Sequence, residues 1–123
     1  MISGVVTSNR EAVIRVLVRG ARGQEALVEG VIDTGFTGFL TLPRGLIATL
    51  APSFAGTTRA VLADGSEVSM DVFDTTVLWD NQERDIVVHA AEGAPLVGMA
   101  LLSGYRVTLD VEDGGSVSIE ALS

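Results

Sequence analysis

The spacing of hydrophobic residues predicts a chain made mainly of short β-strands. Residues 13–19 place three β-branched side chains on one face, which is the two-residue period of a strand. The turn-forming segment 20–24 separates this strand from a second hydrophobic run at 26–33, so the two are expected to pair as a hairpin. The hairpin would present Asp33 at its end.

The rest of the chain shows the same strand pattern with two interruptions. Further strands are predicted at 57–63, 67–79, 84–90, 105–111 and 116–122, with a buried strand end at 96–98. The Asp64-Gly65 pair predicts a tight type I′ turn between the first two of these strands, because both central residues of that turn need a positive φ. Brief helices are expected at 43–52 and 99–103. About six to eight short strands at regular turn spacing indicate an all-β barrel or sandwich.

Length and charge narrow the possible partners. The 123 residues fit one domain, which we expect to span 1–123. The 16 acidic and 8 basic residues give a formal net charge of -8, which would repel nucleic acid and anionic lipid headgroups. No stretch approaches the roughly 20 apolar residues of a membrane span, and the first residues lack the pattern of a secretory signal. We therefore expect a soluble cytoplasmic protein that binds neither nucleic acid nor membranes.

Residue content excludes several kinds of catalytic site. The chain has no cysteine, which excludes disulfides and thiol catalysis. His89 is its single histidine, so the multi-histidine ligand set of common zinc enzymes cannot form. Its place within the hydrophobic run 85–90 favours a structural strand residue over a catalytic base.

Asp33 is the first candidate for catalysis. It follows the hydrophobic residues Val31 and Ile32 and precedes Thr34 and Gly35. A carboxylate at the end of a buried strand is costly unless it is paired or hydrogen-bonded, so its presence implies a structure built around it. Asp followed by Thr or Ser and then Gly occurs by chance in about one chain in twenty of this length, so the triplet gains weight only from the motifs around it.

Those surrounding motifs resemble the retropepsin-like aspartic proteases, in particular their small stand-alone bacterial members, from about residue 13 to 120. The resemblance is carried by residues 31–38 as the active-site loop, by Ala63, Asp64, Gly65 and Ser66 as the flap tip, and by Leu96, Val97 and Gly98 as an apolar-apolar-Gly element before a short helix. It implies a small closed β-barrel with one or two short helices. The active-site loop and the strand ending at Gly98 would cross beneath the site.

The resemblance also implies an aspartic endopeptidase that works as a homodimer. Such enzymes use two facing aspartates, and Asp33 begins the only Asp-Thr/Ser-Gly triplet of this sequence. The second aspartate would come from a twin subunit, and the pair would activate water without a metal or other cofactor. Thr34 would join the two loops across the dimer axis, Gly35 would allow the tight backbone path, and the flap tip would close over a peptide or protein substrate.

Two questions stay open at this point. Retroviral members commonly carry a small residue and then Asp or Ser after the Gly, whereas this chain has Phe36 and Thr37. These residues could line a substrate subsite, or the Phe36 ring could simply pack within the barrel. The alternative function is a catalytically silent barrel that binds extended peptides or a partner protein, since a fold alone does not establish an activity.

Overall fold

In the computed structural model, which describes residues 1–61 and 64–123, the chain forms ten strands and two short helices. The strands are β1 (Ile2–Val6), β2 (Ala12–Arg19), β3 (Glu25–Ile32), β4 (Leu40–Leu42), β5 (Ser53–Val61), β6 (Glu67–Trp79), β7 (Gln82–Ala90), β8 (Leu96–Val97), β9 (Tyr105–Leu109) and β10 (Ser116–Ala121). The helices are α1 (Arg44–Leu50) and α2 (Met99–Leu102). The predicted all-β class with two brief helices is confirmed, although the strands outnumber the expected six to eight.

A single sheet contains all of these strands. Their order is β5-β6-β7-β4-β8-β3-β2-β1-β10-β9, and β6 pairs a second time with β2, so the sheet turns back on itself. Strand β5 extends it on one side, and β1, β10 and β9 extend it on the other. Strands β4 and β8 share only the register pair Leu40↔Val97. Because of these extensions and this short ladder, the sheet is not the regular closed barrel that the resemblance implies.

Local hairpins build most of the sheet. The predicted hairpin before Asp33 forms from β2 and β3, with Arg19 opposite Glu25, and the predicted C-terminal hairpin forms from β9 and β10. A further tight hairpin joins β6 to β7 through Asp80 and Asn81, whose φ angles of 52° and 65° are both positive, as a type I′ turn requires. The sequence pattern does not predict this turn.

The predicted hairpin of β5 and β6 is present, but its register differs from the expected one. A two-residue turn at Asp64-Gly65 would place Val61 opposite Val68. The structure places Val61 opposite Glu67 instead. The strands therefore pair one residue away from the register of a simple two-residue turn, and Ala63, which would close that turn, lies outside the described residues.

Strand β1 is one that the sequence pattern does not predict. Ser3 and Gly4 interrupt its alternation of hydrophobic side chains. It forms because it pairs with β2 on one side and with β10 on the other, so tertiary pairing supplies what the local pattern lacks.

The hydrophobic core is formed by the inner faces of the strands and by both helices. Leu40 of β4, Val88 of β7 and Val97 of β8 are fully buried, and Leu50 and Leu101 bring α1 and α2 onto the same core. Burial on this scale is the main stabilising term of a domain of this size. The core thereby holds β3, β4 and β8, the three strands around Asp33.

Both helices are short. Helix α1 ends at Leu50. The N–H of the following residue, Ala51, donates to the Ile47 carbonyl oxygen (2.8 Å), and the left-handed φ of Ala51 (47°) and then Pro52 turn the chain out of the helix. In the part of the chain that the structure describes, no helix has the length and hydrophobicity needed to cross a membrane.

Replacing Leu40 with alanine should destabilise the fold strongly. Leu40 is 0% exposed on a central strand, so its loss leaves a cavity and should lower the free energy of unfolding by about 2–5 kcal/mol in urea denaturation. Leu27→Ala on β3 is the matched control, because Leu27 is 61% exposed and should change stability by less than about 1 kcal/mol. Similar losses in both variants would contradict the placement of the core.

Candidate active site

Asp33 stands directly after β3, at the point where this strand ends beside β8. The two strands are parallel, with Ile32 opposite Val97. The backbone N–H of Asp33 continues the ladder by donating to the Val97 carbonyl oxygen (2.9 Å). The half-buried Asp33 carboxylate accepts a hydrogen bond from the Gly35 backbone N–H (2.9 Å), which fixes its direction within the loop.

The Asp33 loop, residues 33–39, is bound to the Gly98 segment, residues 96–100, by backbone hydrogen bonds. Gly98 N–H donates to the carbonyl oxygen of Phe39 (2.9 Å), Met99 N–H to that of Phe36 (2.8 Å) and Ala100 N–H to that of Gly38 (3.1 Å). The first N–H groups of a helix have no partner within the helix, so at α2 the loop supplies the missing acceptors. The crossing of these two segments therefore holds Asp33 in place.

The crossing leaves no space for a side chain at Gly98. A Cβ there would clash with the Gly38 carbonyl oxygen and lie 2.6 Å from Cδ2 of Phe36. The Phe36 ring also covers Gly38, because a Cβ on Gly38 would lie 2.6 Å from its Cζ atom. Of the two interpretations left open for Phe36, packing within the fold thus has direct geometric support.

His89 packs against the Phe36 ring close to Gly38, since a Cβ on Gly38 would lie 3.1 Å from His89 Cε1. The two rings meet edge to face, with centroids 5.5 Å apart and planes at 87°. Burial lowers the pKa of the His89 imidazole below its usual value, and its Nδ1 atom is buried without a hydrogen-bond partner among the described residues. The prediction that His89 is a strand residue is confirmed, since it lies in β7.

The place of His89 beside the Asp33 loop is not predicted from the sequence. It arises because β7 pairs in parallel with β4, which puts His89 level with Thr41, just after the loop. A parallel pairing between two segments more than forty residues apart leaves no local signal in the sequence. The only feature of the sequence that draws attention to this position is that His89 is the single histidine.

Thr34 is exposed and lines an apolar groove at the surface. The groove has a volume of about 480 Å³, and its lining includes Thr34, Met99, Tyr105, Val107 and Leu109. Met99 and Leu109 are also substantially exposed. Strand β9, which supplies much of this lining, is an outer strand of the sheet. We call this surface the Thr34 groove.

The described part of the flap tip, residues 64–66, lies at the end of the β5–β6 hairpin. Ala63 is outside the described residues. The Ser66 hydroxyl and backbone N–H both donate to the Asp64 carboxylate (2.6 and 2.9 Å), which lowers the pKa of that carboxyl. Gly65 has a φ of 84°, a left-handed conformation suited to a turn. No hydrogen bond of the described residues joins the flap tip to the Asp33 loop.

The residues of the predicted site thus fall into three groups. The structure brings Asp33, Gly35 and Phe36 together with the apolar-apolar-Gly element, Leu96, Val97 and Gly98. Thr34 and Thr37 are exposed on the same loop, and Thr34 faces the Thr34 groove. Asp64, Gly65 and Ser66 are exposed at a separate hairpin. Within the described ranges, no group of three or more potential metal ligands comes together.

This arrangement is similar to that of a known protease fold. The chain aligns with the crystal structure of a retropepsin-like aspartic protease from Rickettsia conorii, with a TM-score of 0.61, over 99% of this chain and 91% of that chain. The chain has a retropepsin-like fold. Sequence identity is 16%, so the similarity establishes the fold and not the activity. No protein-family model and no curated protein sequence matches the chain.

Replacing Gly98 with alanine should disrupt the crossing. The added Cβ has no room between the Gly38 carbonyl and the Phe36 ring, so we expect the free energy of unfolding to fall by about 1–3 kcal/mol, the usual cost of overpacking. Urea denaturation measures the change.

Gly45→Ala provides the control for this substitution. Nothing lies within 4 Å of a Cβ on Gly45 in α1, so alanine should leave stability unchanged or raise it by up to about 1 kcal/mol. Equal stability of the two variants would show that the crossing tolerates a side chain.

Proposed function

We propose that this protein is an aspartic endopeptidase that acts as a homodimer, with one Asp33 from each subunit. The observation that carries the proposal is the position of Asp33, a half-buried carboxylate at the crossing of the Asp33 loop and the Gly98 segment in a retropepsin-like fold. A flexible surface loop would not fix the carboxylate in place, and the interior of a buried strand would close it off from water. The crossing provides both a fixed position and access to water.

The proposed chemistry follows from the electrostatics of two adjacent carboxyl groups. Because like charges repel, two carboxyls about 3 Å apart cannot both ionise, so the pair shares one proton and titrates as a unit. The ionised Asp33 would accept a proton from a bound water molecule, while the protonated Asp33 would donate a hydrogen bond to the scissile carbonyl. Water attack then gives a tetrahedral intermediate without a covalent enzyme adduct.

A second copy of the chain supplies the second aspartate in this proposal. Asp33 begins the only Asp-Thr/Ser-Gly triplet of the sequence, so one subunit has half of the required pair. A two-fold axis through the site would bring the same surface of both subunits together. The Thr34 groove fits that role, because it is apolar, lies beside Asp33 and is bordered by Leu109 on the outer strand β9.

The β5–β6 hairpin is the proposed flap. Strand β5 lies at an edge of the sheet, where an extended peptide could add backbone hydrogen bonds. Midway along the hairpin, opposite Thr57, Asp71 forms an ion pair with Arg44 of α1 (2.7 Å), whereas Asp64 and Ser66 at its tip are exposed. In this proposal the exposed tip closes over a substrate.

The Asp33→Asn variant should lose peptidase activity while keeping its fold. Asparagine has nearly the same shape but cannot ionise, so the shared proton is lost. Purified protein is incubated with a diverse peptide mixture from about pH 3 to 7, where a coupled carboxyl pair titrates, and products are read by mass spectrometry.

Asp113→Asn is the matched control for this variant. Asp113 is exposed in the turn between β9 and β10, so its replacement should leave cleavage unchanged. Cleavage that persists in Asp33→Asn would exclude Asp33 as the catalytic residue. A folded wild-type dimer without any cleavage would favour the silent peptide-binding barrel.

Replacing Leu109 with arginine should break the proposed dimer. A charge in the Thr34 groove would be desolvated on association, so sedimentation should change from about twice 12.8 kDa in the wild type to a monomer, with loss of cleavage. Leu27→Arg is the control, because Leu27 is exposed on β3 outside the groove. A Leu109→Arg variant that remains dimeric would rule out this surface.

A further inference from the structure

Phe36 is three residues from Asp33, and backbone hydrogen bonds tie it to Asp33 and to the Gly98 segment. Phe36 N–H donates to the Asp33 carbonyl oxygen (3.2 Å), and the Phe36 carbonyl oxygen accepts from Met99 N–H (2.8 Å). The ring covers Gly38 and Gly98 and meets the His89 imidazole edge to face. A shift of this ring would therefore displace Phe36, whose backbone is hydrogen-bonded to Asp33, and the glycines that the ring covers.

The buried Nδ1 atom of His89 favours a neutral imidazole over a protonated one. A protonated ring carries an N–H on both nitrogens, and the Nδ1 atom of His89 is buried without a partner among the described residues. If Nδ1 carried a proton, it would be a buried donor with no acceptor beside the Phe36 ring, which costs free energy. Burial also lowers the pKa of His89, which agrees with this geometry.

No carboxylate of the described residues lies within ion-pair distance of His89. Its register partners are Thr41 on β4, whose hydroxyl oxygen accepts from Leu96 N–H, and Val72 on β6. The carboxylates on the same face of the sheet, by strand alternation, are Asp74 of β6 and Asp85 of β7. None of the ion pairs formed by the described residues includes His89.

We propose that His89 is a positioning residue for Asp33, which it holds through the Phe36 ring while its imidazole is neutral, and which it releases when it is protonated. The protonated ring would relieve its buried donor by turning toward water, and the Phe36 ring would lose its support. Acidification would then displace the Asp33 loop. The consequence for catalysis rests on the proposed function, whereas the coupling of His89 to the loop does not.

The same coupling determines how stability depends on pH. The pKa of His89 is lower in the folded protein than the value of 6.5 for a free imidazole, so the unfolded chain binds more protons between these two values. The His89 contribution to the free energy of unfolding is therefore constant above about pH 6.5 and decreases as pH falls toward the folded pKa. His89→Gln should remove this part of the acid destabilisation.

The proposal is tested by NMR titration of the full chain carrying Asp33→Asn, which removes the titration of Asp33 itself. His89 is the single histidine, so its Cε1–H signal reports its pKa without ambiguity. We expect the amide signals of Gly35, Gly38 and Gly98 to shift with the same midpoint as the His89 signal. Amide signals that show no inflection at that midpoint would overturn the proposal.

A matched variant and an activity profile complete the test. In the double variant Asp33→Asn/His89→Gln, the amide signals of Gly35, Gly38 and Gly98 should no longer show an inflection at the His89 midpoint. If they still show it, another group causes the shift and the proposal is wrong. In the active background, His89→Phe keeps a ring beside Phe36 but cannot be protonated, so it should retain cleavage at acid pH values where the wild type loses it. If the acid side of the pH–activity curve is the same in both proteins, His89 does not position Asp33. If neither protein cleaves peptides, the result counts against the proposed function. The NMR result still decides whether His89 is coupled to the loop.

Discussion

The fold around the candidate site depends on one backbone constraint, the hydrogen-bonded crossing of the Asp33 loop and the Gly98 segment. The N–H groups of Gly98, Met99 and Ala100 all donate to carbonyl oxygens of the loop. This crossing supplies partners for the unpaired end of α2, and it is possible only because Gly98 has no side chain. Hydrophobic burial of Val97 and Leu101 on either side fixes the Gly98 segment to the core, so that the stability of the whole fold supports the position of a single carboxylate.

Much of this arrangement is local and could be predicted from the sequence. The alternation before Asp33 predicts the β2–β3 hairpin, because one face of that hairpin must be buried. The prolines around α1 predict a brief helix, and the position of Asp33 at the end of β3 follows from the hydrophobic run that precedes it. The resemblance of the motifs to retropepsin-like proteases agrees with the fold that the comparison with a solved structure establishes.

What could not be predicted arises from pairings between distant segments. Strand β1 has a weak local pattern and exists through its two partners, and the register of the β5–β6 hairpin is one residue away from a simple Asp-Gly turn. The parallel pairing of β4 with β7 brings His89 to the Asp33 loop, although the sequence marks it only as a strand residue. Because such pairings are decided by tertiary packing, the local pattern contains no information on them.

The central claim is that two chains share one active site, and subunit mixing tests it most directly. Wild type and Asp33→Asn chains are combined in equal amounts at fixed total concentration, allowed to exchange, and assayed for peptide cleavage. If each site needs an Asp33 from both subunits, about one quarter of the dimers are active, so the activity should fall to about one quarter of that of the wild type alone. Activity that falls only to about one half, as simple dilution gives, would show that each chain works alone and would contradict the account.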